Sequence, residues 1–218
     1  MISLTFDDGW YNQYLEGKPI LDEMGFKGTF YVITQMPKYM LSEGQGRMTQ
    51  DQWIELSNEG HEIGAHSRTH PHLQFCLPHK VINEVVGSKK DLLKIGINPE
   101  TFAYPYGRRN FFVDSIVRKN YKAGRLADGG SIDLTQKIKK ESLVSICIIA
   151  KDSLETIKKY IDTSLHENIW TILVFHQIEE NPPEWGCSPK MLRDICLYIK
   201  EKGVKVDLIK NVINNMNA

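Results

Sequence analysis

The chain has 218 residues, 27 Lys and Arg against 27 Asp and Glu, and 41% hydrophobic residues. A zero formal charge removes the broad attraction on which non-specific nucleic-acid binding and polybasic membrane association depend, so neither is an expected partner. With 25% charged residues the composition is that of a folding chain rather than a disordered one, and the length suits a single domain over residues 1–218.

Short β-rich runs alternate with amphipathic helical stretches from end to end, the pattern of a mainly parallel sheet or barrel with outer helices. Leu4 to Phe6 reads as the first strand, directly after Met1 and with no signal-peptide pattern, so the expectation is a cytoplasmic protein or a trimmed chain. A helical segment over Ile20 to Met24 ends at Gly25, and Gly28 to Ile33 is a second strand. Thr49 and Gln52 form a capping-box pattern for a helix that stops at Gly60, and His61 to Ala65 is a third strand. Pro78 opens a long helix reaching Gly96; Thr101 to Tyr104 is strand-like, and a helix covers Phe111 to Asn120. Gly124 to Lys140, with Gly129 and Gly130 adjacent and no clear period, reads as a loop. Leu143 to Ile149 is β-rich, Ser153 caps a helix to about Leu165, and Trp170 to Phe175 is a buried-type strand. Ser188 and Pro189 start a helix that Gly203 stops, and Val204 to Leu208 is a last strand before a short terminal helix.

The longest apolar candidate, Ile169 to Phe175, ends at His176, far short of the roughly 20 residues that span a bilayer, so membrane insertion is not expected. Cys76, Cys147, Cys187 and Cys196 have no metal-ligand spacing and read as buried free thiols.

In a parallel α/β fold the chemistry lies at the carboxyl ends of the strands. Four such ends carry informative residues: Asp7-Asp8-Gly9, His66 to His70, Pro105-Tyr106-Gly107, and His176. Two adjacent carboxylates after a buried strand repel one another, and a divalent cation relieves that conflict. Neighbouring side chains on an extended backbone point apart, so one of Asp7 and Asp8 binds metal while the other faces substrate; a turn or helix cap is the alternative. His66 and His70 are four residues apart, a spacing that places two imidazoles on one side of a helical turn. With Asp8 they make a two-nitrogen, one-oxygen set that leaves positions open for water and substrate. His176 interrupts the strand from Trp170 where a general acid with a pKa near working pH would be useful, or it is a satisfied core histidine. His61 and His72 receive no role.

Taken in order, Thr5-Phe6-Asp7-Asp8-Gly9, His66-Ser67-x-x-His70, Phe102-x-x-Pro105-Tyr106-Gly107 and Val174-Phe175-His176 resemble the motifs of the NodB-type polysaccharide deacetylases, carbohydrate esterase family 4. The resemblance implies an irregular (β/α) barrel of about seven strands that removes acetyl groups from N-acetylated sugars with one divalent metal. By position, Asp8, His66 and His70 would hold the metal, Asp7 would be the general base and His176 the general acid. The Tyr106 N–H would help hold the oxyanion, and Val174 would line the pocket for the acetyl methyl. Zn²⁺ suits two imidazoles and a carboxylate, with Co²⁺ or Ni²⁺ next.

Two features depart from the family pattern. Ala103 stands where an Arg is frequent, and the Asp-Trp pair that orients the acid histidine is missing. Arg125 is the candidate replacement cation, and Asp128 or Asp133 the replacement carboxylate. Trp10, Tyr11, Tyr104, Tyr106 and above all Trp185 are candidate platforms for a sugar ring. The expected substrate is an acetylated carbohydrate of the chitin-oligomer, peptidoglycan or poly-N-acetylglucosamine type. A non-sugar amide, cyclic imide or O-acyl ester, or non-catalytic carbohydrate binding, are the alternatives. The resemblance points to the cell envelope or exterior, the missing signal sequence inward, and oligomeric state is not legible.

Overall fold

Buried strands alternate with half-buried helices along the computed structural model, which describes residues 1–36, 46–166 and 168–216. The strands are β1 (Ile2–Phe6), β2 (Thr29–Val32), β3 (Glu62–Ala65), β4 (Thr101–Ala103), β5 (Ala123–Gly129), β6 (Ile132–Asp133), β7 (Leu143–Cys147) and β8 (Ile169–Phe175). The helices are α1 (Lys18–Met24), α2 (Gln50–Asn58), α3 (Pro78–Lys94), α4 (Phe111–Asn120), α5 (Leu154–Thr163), α6 (Pro189–Glu201) and α7 (Ile209–Asn215). Seven strands run parallel in the order β1-β2-β3-β4-β5-β7-β8, and β8 returns to β1 from Ile2↔Thr171 to Phe6↔Phe175, closing a (β/α) barrel. β6 lies antiparallel on the start of β8.

Side-chain alternation on β1 explains how the barrel is filled. Ile2, Leu4 and Phe6 join the core shared with the helices, where Phe6 stacks on Phe30 at 4.8 Å and on Phe175 at 5.3 Å. The intervening residues turn inward: Trp170 Nε1 donates to Ser3 Oγ at 3.0 Å, and Asp7 ends this inner row at the top of the barrel. The helices begin where their caps dictate. Gln52 N donates to Thr49 Oγ1 (3.3 Å) and Thr49 N to Gln52 Oε1 (2.9 Å), completing the capping box of α2. Ser188 Oγ accepts from Met191 N at the start of α6, with Pro189 in the first turn.

Two sequence expectations fail. The segment read as a loop from Gly124 to Lys140 contains most of β5 and all of β6. Gly124, Gly129 and Gly130 dilute its β propensity, and its inward position Arg125 is charged, so no apolar run marks the strand. Val204 to Leu208 is not a strand. It makes one bridge, Ile2↔Val206, supported by Ile2 N donating to Lys205 O (2.8 Å) and Asp207 N to Ile2 O (3.0 Å). β8 occupies one edge of β1 and β2 takes the other at Thr5 and Phe6, leaving only the start of β1 for this segment.

Candidate active site

Asp8, His66 and His70 offer ligand atoms that all lie within 4.8 Å of one another. Asp8 Oδ1 is 3.5 Å from His66 Nε2 and 3.5 Å from His70 Nε2. The predicted helical turn is absent: His66 follows β3 and the segment to His70 is a loop, with Ser67 at φ 63° and His70 at φ 55°. Left-handed backbone at two non-glycine residues is costly, and here it brings both imidazoles to the same side. His66 Nδ1 is 2.8 Å from the Ala103 carbonyl, which can only accept, so Nδ1 carries the proton and Nε2 presents its lone pair. Burial, and then the neighbouring His66, lower the His70 pKa from 6.5 to about 4, leaving it neutral at neutral pH. Burial opposes ionisation of Asp8, yet the adjacent His66 imidazole, with His70 and His176 beyond it, holds its pKa well below the usual carboxylate range. Asp8 Oδ1 accepts no hydrogen bond although it is buried. An orphaned carboxylate oxygen facing two imidazole nitrogens is a donor set that suits a divalent cation. Its other oxygen accepts from Trp10 Nε1 at 3.2 Å, and Arg47 stacks on that indole while donating to the Asp8 carbonyl at 3.2 Å.

Asp7 is buried beside this set, with Oδ2 3.9 Å from His66 Nε2. Its Oδ1 accepts from Arg125 Nη2 in a fully buried ion pair. The replacement cation thus comes from the adjacent strand at matching height, since Ala103 and Arg125 are register partners of β4 and β5. Burial alone would raise the Asp7 pKa; the Arg125 guanidinium, aided by His66 and His176, wins and holds it below the carboxylate range. Gln13, in a π-helical turn over Gln13–Gly17, donates through Nε2 to the carbonyls of Asp7 (2.6 Å) and His176 (2.9 Å), tying the ends of β1 and β8 together.

His176 stands across the cavity, with Nδ1 3.8 Å from Cys147 Sγ at the end of β7. Neither expected carboxylate reaches it. Asp133 lies at the opposite end of β8, opposite Ile169, where its carboxylate binds Thr135, and Asp128 is exposed on β5. Burial, then the Asp7 charge, push the Cys147 thiol up to about 12, so Cys147 sits beside His176 as a neutral group. Val174 also departs from expectation: it is fully buried between Thr5 and Cys147 and does not line the cavity. Tyr106 does, at φ 58°, its ring tilted on His70 (4.5 Å) and stacked on His72 (3.9 Å). His72 therefore has a supporting role that sequence position did not reveal. Trp185 is 54% exposed at the rim, its ring 6.4 Å from His176. Trp10 and Tyr104 line the cavity and Tyr11 does not. The cavity holds about 460 Å³, within the usual range for a small-ligand site.

A closed parallel barrel that gathers Asp8, His66 and His70, a paired aspartate and a facing histidine at its carboxyl end defines a (β/α) barrel with a candidate cation site. Residues 1–123 match the polysaccharide deacetylase family, and the chain belongs to it, as a NodB-type member of carbohydrate esterase family 4. A deacetylase of Streptococcus pyogenes, PplD, solved with acetate, is 31% identical, covering 72% of this chain and 69% of that one at a TM-score of 0.63. The peptidoglycan-N-acetylglucosamine deacetylase PgdA of Listeria monocytogenes is 30% identical over 113 residues, 50% of this chain and 22% of that protein. A gellan lyase of Bacillus sp is 26% identical over 90% of this chain but only 8% of its own length. This chain therefore spans a minor part of these two curated relatives.

Proposed function

We propose that the chain is a metal-dependent hydrolase that removes N-acetyl groups from an acetylated carbohydrate of the chitin-oligomer, peptidoglycan or poly-N-acetylglucosamine type. The observation that carries this reading is the orphaned Asp8 Oδ1 facing His66 and His70 in the same cavity as the Arg125-paired Asp7 and His176. Asp8, His66 and His70 hold the cation, most suitably Zn²⁺, which supplies a Lewis acid for the acetamide carbonyl and a water of lowered pKa. Asp7, kept ionised by Arg125, accepts a proton at Oδ2, the oxygen that Arg125 does not bind. The backbone N–H of Tyr106 stabilises the oxyanion, and its left-handed backbone is the kind of stored strain found at functional sites. His176 protonates the departing amine, giving acetate and an amino sugar.

The test is acetate release from chitin oligomers, peptidoglycan, poly-N-acetylglucosamine and simple acetyl esters, before and after chelation and on return of Zn²⁺, Co²⁺ or Ni²⁺. Asp7→Asn should lower turnover by at least about a hundredfold while the metal content stays at that of the parent, whereas His66→Ala should lose the metal. An active Asp7→Asn enzyme would sink the base assignment. Release from esters alone would favour the O-acyl reading, which the neutral Cys147 beside His176 supports, because an alkoxide leaves with less help from an acid than an amine does.

A further inference from the structure

The catalytic cavity does not end at Tyr106. Gly107 and Arg108 line both that cavity and a second hollow of about 470 Å³, which continues over Arg109, Asn110 and Phe111 to Asp114. Gly107 is held close to β5: it lies at φ 64°, and a Cβ there would meet the Ala127 backbone nitrogen at 2.8 Å. Phe111, in the first turn of α4, is 86% exposed. Arg108 is exposed and has no acidic partner among the described residues, because Arg109 takes Asp114 and Arg118 takes Glu141. Glu184, which precedes Trp185 in the chain, and Glu180 are exposed. A sugar chain leaving the cavity on the Tyr106 side therefore meets a cationic ledge.

We propose that the ledge from Gly107 to Phe111 is a second sugar subsite, taking a carboxylate-bearing sugar unit next to the acetylated one, with Arg108 on the carboxylate and Phe111 against the ring. The inference rests on the deacetylase reading and narrows its substrate to an acidic glycan. A guanidinium forms bidentate hydrogen bonds with a carboxylate, and an unpaired one beside a cavity spends no native partner in doing so. An exposed aromatic ring offers the flat apolar surface on which the ring of a sugar packs.

The probes are a hexasaccharide of alternating N-acetylglucosamine and glucuronate, its carboxyl-reduced counterpart, and a neutral N-acetylglucosamine disaccharide. The Zn²⁺-loaded enzyme should show kcat/KM about tenfold higher on the acidic hexasaccharide than on the reduced one, the worth of one charge-assisted pair. Arg108→Met should bring that ratio to parity, and Phe111→Ala should raise KM for both hexasaccharides more than for the disaccharide. Calorimetry with the Asp7→Asn protein measures binding apart from turnover. Acetate release with a ratio that Arg108→Met does not change overturns the subsite. Tighter, Arg108-dependent binding of the acidic hexasaccharide, with no acetate released from any probe by the Asp7 enzyme, supports the subsite and overturns the deacetylase reading instead.

Discussion

Arg125 decides the charge state of Asp7, because a carboxylate this buried would otherwise hold its proton. In Arg125→Met the burial remains and the cation is gone, so the Asp7 pKa must rise. The acid limb of kcat/KM against pH should move to higher pH, with activity at neutral pH down by about a hundredfold. An unmoved limb, measured on protein whose metal content matches the parent, would mean that Asp7 is not the titrating base. At this scale the sequence is legible where neighbours in the chain are also neighbours in space: Asp7 with Asp8, and His66 with His70. Arg125, Gln13 and Cys147 reach the site from other elements, and only long-range packing brings them there. Arg125 was still findable from the hole it fills, since Ala103 leaves a buried aspartate in need of a cation.

Helices are legible through their ends. Thr49 with Gln52, Ser153 and Ser188 with Pro189 each fix a boundary by satisfying backbone N–H groups that have no helical partner. Strands lack such punctuation, and β5 is the least legible because glycine serves packing there. A Cβ on Gly124 would meet the Tyr104 ring at 2.7 Å and the Glu141 carbonyl at 3.0 Å. The Tyr104 hydroxyl is fixed by Asp114 (3.1 Å) and by the Glu141 carbonyl (2.8 Å), so the ring has little freedom to retreat. Gly124→Ala should therefore destabilise the fold by about 1–3 kcal/mol through overpacking, read as a lower urea midpoint with an unchanged slope. Equal or greater stability in that variant would show that Tyr104 can shift, and that the strand tolerates the β-favouring residue it lacks.

For the molecule as a whole, barrel closure buries polar groups as well as apolar ones, and His61 is one whose titration reports on folding. It lies just before β3, with its ring edge-on to Phe30 and Nδ1 accepting from Gly28 N at 3.1 Å. Lys27 Nζ at 3.5 Å and Asp22 Oδ1 at 3.6 Å face its other nitrogen. Although Asp22, Glu59 and His61 lie close enough to suggest a second cation site, Lys18 and Lys27 already neutralise the acids. Burial, then the Lys27 charge, lower the His61 pKa from 6.5 to about 4, so the folded protein keeps it neutral while the unfolded chain takes up a proton across that window. The sign follows: this contribution to stability is fully present above about pH 6.5 and is lost as the pH falls through about 4, amounting to about 3 kcal/mol. His61→Asn keeps an acceptor for Gly28 N but cannot titrate. Denaturant unfolding from pH 7 to pH 4 should therefore show a shallower loss of stability in the variant than in the parent, with the two curves converging toward low pH. Parallel curves would mean that His61 charges as readily in the folded barrel as in the open chain, and that its burial costs the protonated form nothing.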